Sequence, residues 1–258
     1  MGDHDTWLSV LIPAVKNLEL SIAEGAGKSW IFGKSVIDVH HVTMGVFTFI
    51  VLIMLALRFR SALKADAQGG VIPEAHFNMR SIIEVICDYT YGTMSGVMGE
   101  KAARHFLPFI GTFGFFILLS NLLGLVPGLL PATDSVNTTA ACAVLVFIAT
   151  HWYGVRENGL GHFKHMMGPV WWLAWLVLPI ELISHLARPV SLALRLAGNM
   201  FGDHMALMIF LKLTLLVIPV ALLALGLIVC MVQTMVFCLL SAVYIGMAIE
   251  HHDHAEAH

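Results

Sequence analysis

The chain has 258 residues, 58% of them hydrophobic and 12% charged, with a mean hydropathy of +0.83. That balance fits a polytopic membrane protein and excludes an ordinary soluble domain, in which about 25% of residues are charged. A formal net charge of −3 gives no reason to expect nucleic acid as a partner, since its binders are usually basic. Cys87, Cys142, Cys230 and Cys238 stand singly, without a CxxC pair or metal-like spacing, and read as small core hydrophobes.

The amino end, MGDHDTWLSVLIPAV, carries Asp3 and Asp5 where a cleavable signal peptide would need positive charge. Insertion through the mature helices is therefore expected. Residues 1–35 are mixed in charge, with Lys16, Glu19, Glu24 and Lys28, which suits a surface segment at the interface. The first span is Val42–Leu57, extended by Val36–His41 and stopped by Arg58, Arg60 and Lys64. ADAQGGVIPEAH, 65–76, is a Gly/Pro loop. Residues 77–104 then place apolar positions at helical spacing among Arg80, Glu84, Asp88, Glu100, Lys101 and Arg104. That stretch is too polar to span and predicts an amphipathic interfacial helix.

A second span runs from Phe106 to Val126 and a third from Thr138 to Val155, so 36–168 holds three spans and the interfacial helix. The loop after the first span is rich in Arg and Lys, the loop after the second has none, and Arg156 and Lys164 follow the third. Counted by the positive-inside rule, the amino terminus lies outside and the carboxyl terminus in the cytoplasm.

Residues 169–249 form one long apolar stretch, too long for a single perpendicular helix. Pro179, Pro189 and Gly198 are mild breaks, whereas Pro219 suits a turn. This predicts a hairpin of two helices of roughly 45 and 30 residues, long enough that they must tilt steeply or run along the membrane. The whole is an all-α integral membrane domain of about five main apolar helices plus one interfacial helix, ending in a His-rich tail, 250–258.

Nearly all the charge of that stretch lies in ELISHLARPVSLALRLAGNMFGD, Glu181–Asp203. At the helical step, Glu181, Ser184, His185, Arg188, Arg195, Asn199 and Asp203 fall within roughly 60° of one line. An Arg near mid-bilayer costs about 2.5–3.5 kcal/mol on insertion scales, so such a row marks a functional site. On the last helix Gln233 and Tyr244 lie within about 20° of each other, with Gly226 on the same side.

At these residues the chain resembles subunit a of the rotary F-type ATP synthase, the membrane stator beside the ring of c subunits. PVSLALRLAGNM, Pro189–Met200, and QTMVFCLLSAVYIGMA, Gln233–Ala248, carry the resemblance, and NLLGLVPG (121–128) and DSVNTTAA (134–141) extend it upstream. It implies that Arg195 is the family's essential arginine, Glu181 the acidic residue of the cytoplasmic half-channel, and Asn199 and Gln233 the polar pair flanking the arginine. Arg188 matches a basic position one heptad earlier. His204 occupies a position that is acidic in many bacterial members, with Asp203 beside it. Gly226 replaces the histidine that often pairs there. The resemblance further implies a bacterial inner membrane, the c ring and peripheral-stalk b subunits as partners, and no cofactor or metal of its own.

A carboxylate on a rotating ring can face lipid only when neutral, so protons must load and unload at the stator. On this resemblance Arg195, which stays protonated, is expected to attract the ionised carboxylate and to block a direct hop between two offset half-channels. Rotation then becomes obligatory for transport. The chain holds no GxxxxGK[ST] loop, so it is read as non-catalytic, with ATP chemistry on other subunits.

Plainer readings stand beside these. Glu181 could be the salt-bridge partner of Arg188, Asn199 and Gln233 could be interhelical glue worth about 0.6 kcal/mol each, and Arg195 could pair with a carboxylate to hold two helices together. His185 reads as a satisfied helix contact and Tyr244 as packing. His151, like the other histidines near span ends, reads as solvated or interfacial. A b-type cytochrome and a free-standing transporter are the rivals; the first needs facing histidine pairs and the second commonly shows a repeat, and neither is visible in the sequence.

Overall fold

A computed structural model of the chain describes residues 17, 21, 40–65, 78–126, 129–158, 174–213 and 217–249, without the side chains of Glu181, Lys212 and a few others. The expected surface segment apart from residues 17 and 21, the Gly/Pro loop from residue 66, most of the polar connection 156–165 and the His-rich tail lie outside the described residues. Within them every long element is an α-helix: α1 (His40–Ala65), α2 (Met79–Met98), α3 (Glu100–Gly124), α4 (Val136–Asn158), α5 (Ala174–Leu213) and α6 (Val217–Ile249). A 3₁₀ turn, Ala132–Asp134, precedes α4.

The helix α1 continues through Arg58 and Arg60. Basic residues stop a membrane crossing but are good helix formers, so the span ends before the helix does. At the start of α2, Asn78 Oδ1 accepts the Met79 N–H at 2.9 Å. At its end Gly99 adopts φ +78° and donates its N–H to the Ser95 carbonyl, a conformation that favours glycine. This divides the single amphipathic helix expected over 77–104. Glu100, Lys101 and Arg104 belong to the first turns of α3, which begins six residues before the expected span. The sequence signal was weak because Gly92 and Gly96 sit inside α2 without breaking it.

Stretches within α1, α3, α4 and α6 are long and apolar enough to cross a membrane. The polar row of α5 keeps it out of that set, and α2 is too polar, as expected. Pro179 and Pro189 leave α5 unbroken over its 40 residues. The turn expected at Pro219 is not at that residue: α5 ends at Leu213 and α6 begins at Val217. Pro219 sits in the first turn of α6, where its missing N–H has no intrahelical partner to lose.

The residues form two compact units, one of the chain up to 56, 115–139 and 196–232, the other of 57–114, 140–195 and 233 onward. In the second, Met94, Ala103, Phe106 and Ile110 pack with Cys238, Ala242 and Ile245. Gly114 permits that approach, since a Cβ there would come 2.7 Å from Cys238 Sγ. In the first, Thr133 Oγ1 donates to Asn121 Oδ1 at 2.6 Å, and the Thr133 N–H donates to Ser120 Oγ at 3.3 Å. All three residues are buried, so these bonds tie the 3₁₀ turn to α3 at little exposure to water. The four cysteines are free, and Cys142, Cys230 and Cys238 are buried, as small core hydrophobes should be.

Candidate functional site

In the first unit, α3, α5 and α6 enclose a partly open cavity of about 40 Å³, lined among others by Asn121, Asp203, His204, Gly226 and Cys230. One water needs about 10–15 Å³, so the space takes more than one. Asn121 Nδ2, Asp203 Oδ2 and His204 Nδ1 are buried there and carry no hydrogen bond among the described residues. Buried polar groups are normally paired, and here three of them share one mostly apolar cavity with room for water. Gly226 allows α6 to come close: its Cβ would lie 2.8 Å from Leu125 Cδ2.

In the second unit, α4, α5 and α6 border a smaller cavity of about 20 Å³, whose polar lining is Thr150, His151, His185, Arg188 and Tyr244. The Arg188 guanidinium sits 5.5 Å from the centre of the Tyr244 ring, within cation–π range. His151 and His185 meet edge to face with ring centres 5.5 Å apart. His151 Nδ1 lies 3.0 Å from the Phe147 carbonyl. A carbonyl only accepts, so Nδ1 carries the proton.

Between these stretches of sequence, α5 turns Leu192, Leu196 and Met200 inward and buries them. Ser191, Arg195, Gly198, Asn199 and Gly202 are exposed. In the first unit, a Cβ at Gly198 or Gly202 would meet nothing within 4 Å, so the space beside these two glycines is open. No acidic side chain pairs with Arg195 among the described residues.

The profile of the ATP synthase A chain family matches residues 42–246. ATP synthase subunit a 2 of Syntrophotalea carbinolica is 47% identical over 198 residues, covering 77% of this chain and 83% of that one. Subunit a of Sorangium cellulosum is 39% identical over 257 residues, 98% and 100% of the two chains, and that of Bdellovibrio bacteriovorus 43% identical over 216 residues, 83% and 93%. The chain belongs to the ATP synthase subunit a family. It is therefore one subunit of a larger membrane assembly, with relatives in bacteria.

For a subunit a, the polar row of α5 divides by exposure. Ser184, Arg195 and Asn199 are exposed, while His185 and Arg188 reach the smaller cavity and Asp203 the larger. Tyr244 joins Arg188, and Gln233 is buried at 4% exposure. Glu181 stands in α5, its side chain outside the described residues. Two residues escaped the sequence reading. Asn121 stood in a quoted motif without a role, although Ser120–Asn121 interrupts an apolar run. His151, read as solvated or interfacial, is half-buried; its place one turn after Phe147, beside the buried row Ala143, Val146 and Thr150, was the available signal. The histidine pair revives the cytochrome rival only in name, because about 20 Å³ is far below the ~300 Å³ at which cofactor pockets begin.

Proposed function

We propose that this subunit a is the proton-conducting stator of its ATP synthase, with two offset half-channels serving the carboxylates of a c ring and Arg195 preventing a shortcut between them. The observation that carries the reading is the exposed Arg195 of α5, with the small Ser191 exposed one turn before it and Leu194 56% exposed beside it. A permanent cation among exposed apolar side chains is costly against lipid, and small residues let a neighbouring helix approach closely. A ring helix bearing a carboxylate answers both demands. The cavity at Asp203 and His204 would serve as the outer mouth. Glu181, with the exposed Ser184 nearby, would serve the cytoplasmic mouth, and Asn199 and Gln233 would flank the arginine. The amino terminus would lie outside and the carboxyl terminus in the cytoplasm, where peripheral-stalk b subunits hold the stator.

The test is ATP-driven acidification of inverted vesicles holding the whole assembly, native against Arg195→Ala at equal assembly. Pumping is expected to vanish in the variant, and passive proton leak to rise. Pumping that survives would remove the stator role from this arginine.

A further inference from the structure

The bonds around Thr133 decide which end of a neighbouring amide the larger cavity meets. Thr133 and Asn121 are buried, and Thr133 Oγ1 lies 2.6 Å from Asn121 Oδ1. That separation suits O–H···O and is short for N–H···O, so the hydroxyl donates and the amide oxygen is occupied. Because its one proton goes there, Thr133 Oγ1 can only accept at its 3.4 Å contact with Ser120 Oγ, which in turn accepts the Thr133 N–H at 3.3 Å. The other end of the amide is left over. Asn121 Nδ2 is buried without a hydrogen bond among the described residues, and Asn121 lines the cavity together with Asp203 and His204. We propose that Thr133 is a positioning residue of the proton path: by holding the Asn121 oxygen, it presents the amide NH2 as a fixed donor to the water of that cavity. The proposal deepens the outer-mouth reading of Asp203 and His204 and rests on it.

An amide NH2 donates hydrogen bonds but, unlike a carboxyl or an imidazole, does not exchange its charge state. Its contribution is therefore directional. A water that accepts from Asn121 Nδ2 keeps both of its own hydrogens for acceptors, and Asp203 Oδ2, also unpaired among the described residues, is such an acceptor when ionised. The cavity of about 40 Å³ holds more than one water, so a short oriented chain fits. Turned the other way, the amide would offer an oxygen to the cavity and compete with Asp203 for the same hydrogens. The bond to Thr133 closes that alternative. Ser120 and Asn121 on α3, Thr133 on the 3₁₀ turn, and Asp203 and His204 on α5 all belong to one compact unit, so the residue that orients the amide is packed with the mouth it serves.

A threonine that only pins the turn to α3 would act through stability alone, and the two roles part in a double variant. ATP-driven pumping by the whole assembly in inverted vesicles and thermal unfolding of the purified assembly are measured for native protein, Thr133→Val, Thr133→Ser, and Thr133→Val with Asn121→Leu, each at equal assembly. Thr133→Val keeps the shape and loses the hydroxyl; it should pump roughly tenfold slower, the upper end of what one hydrogen bond between neutral groups supplies. Thr133→Ser keeps the donor and should recover most of that loss. The double variant should unfold at a higher temperature than Thr133→Val, because both partners go together, yet pump no faster, because the amide donor is gone. Native pumping by Thr133→Val, a Thr133→Ser as slow as Thr133→Val, or pumping that returns with stability in the double variant would overturn the proposal. Where Thr133→Val does not assemble, a double variant at the native rate overturns it equally. Asp203→Asn with His204→Gln, measured alongside, separates this from the reading it rests on: native pumping by that pair would remove the outer mouth itself, whatever Thr133 does.

Discussion

The cavity at Asp203 and the cavity at His151 draw on the same two helices, α5 and α6, yet treat their polar groups in opposite ways. Around Asp203, among the described residues, three buried polar atoms have no hydrogen bond and the lining holds no Arg or Lys. Around His151 the rings are seated on one another: His151 against Phe147 and His185, Arg188 over Tyr244. The contrast separates two uses of polarity in an apolar bundle. Orphaned groups leave room for a partner such as water, whereas stacked groups hold geometry. The same reasoning makes the first cavity the more sensitive to loss of titratable groups and the second the more tolerant.

That difference can be broken or sharpened by substitution. The largest effect is expected from Asp203→Asn with His204→Gln, which keeps the cavity polar but removes both titratable groups. ATP-driven pumping should fall about 100-fold, the lower end for a positioned acid–base group, and a double variant with native pumping would erase the contrast. Next comes Thr133→Val, which deletes the 2.6 Å donor to Asn121 Oδ1 and leaves that oxygen unpaired as well. Thermal unfolding of the purified assembly should show a loss of about 1–3 kcal/mol, and Thr133→Val with Asn121→Leu should lose less, because both partners go together.

Gly226→His would place a Cβ 2.8 Å from Leu125 Cδ2. Overpacking of this kind costs about 1–3 kcal/mol, and Leu125→Ala in the same chain should relieve most of it; equal unfolding temperatures for single and double variants would show that Leu125 already yields. The smallest effect is expected at the second cavity. Tyr244→Leu should lose the cation–π contact with Arg188, about 0.5–2 kcal/mol, while Tyr244→Phe keeps the ring and most of the stability. A Tyr244→Phe as damaging as Tyr244→Leu would move the importance from the ring to the hydroxyl and make this cavity resemble the first.

Much of this was readable along the chain. Apolar runs marked the membrane helices, helical spacing set His185, Arg188, Arg195 and Asn199 on one side of α5, and the PVSLALRLAGNM motif carried the family. These are local properties: each depends on neighbours within a few turns, and a helix repeats every 3.6 residues whatever it packs against. Gly99 shows where locality fails. One glycine in a helical pattern either stays helical, as Gly92 and Gly96 do, or takes a positive φ, and the packing of α2 and α3 settles which.

The partners across helices lie wholly outside that local code. His151 stands 34 residues before His185, and Asn121 stands 82 before Asp203; nothing in either interval specifies the rotation of α4 or α3 about its own axis. Sequence alone therefore determined the helices, the membrane class, the family and the polar row of α5. Tertiary packing decided which members of that row turn inward, which of them find a histidine or a tyrosine opposite, and which buried atoms are left without a bond.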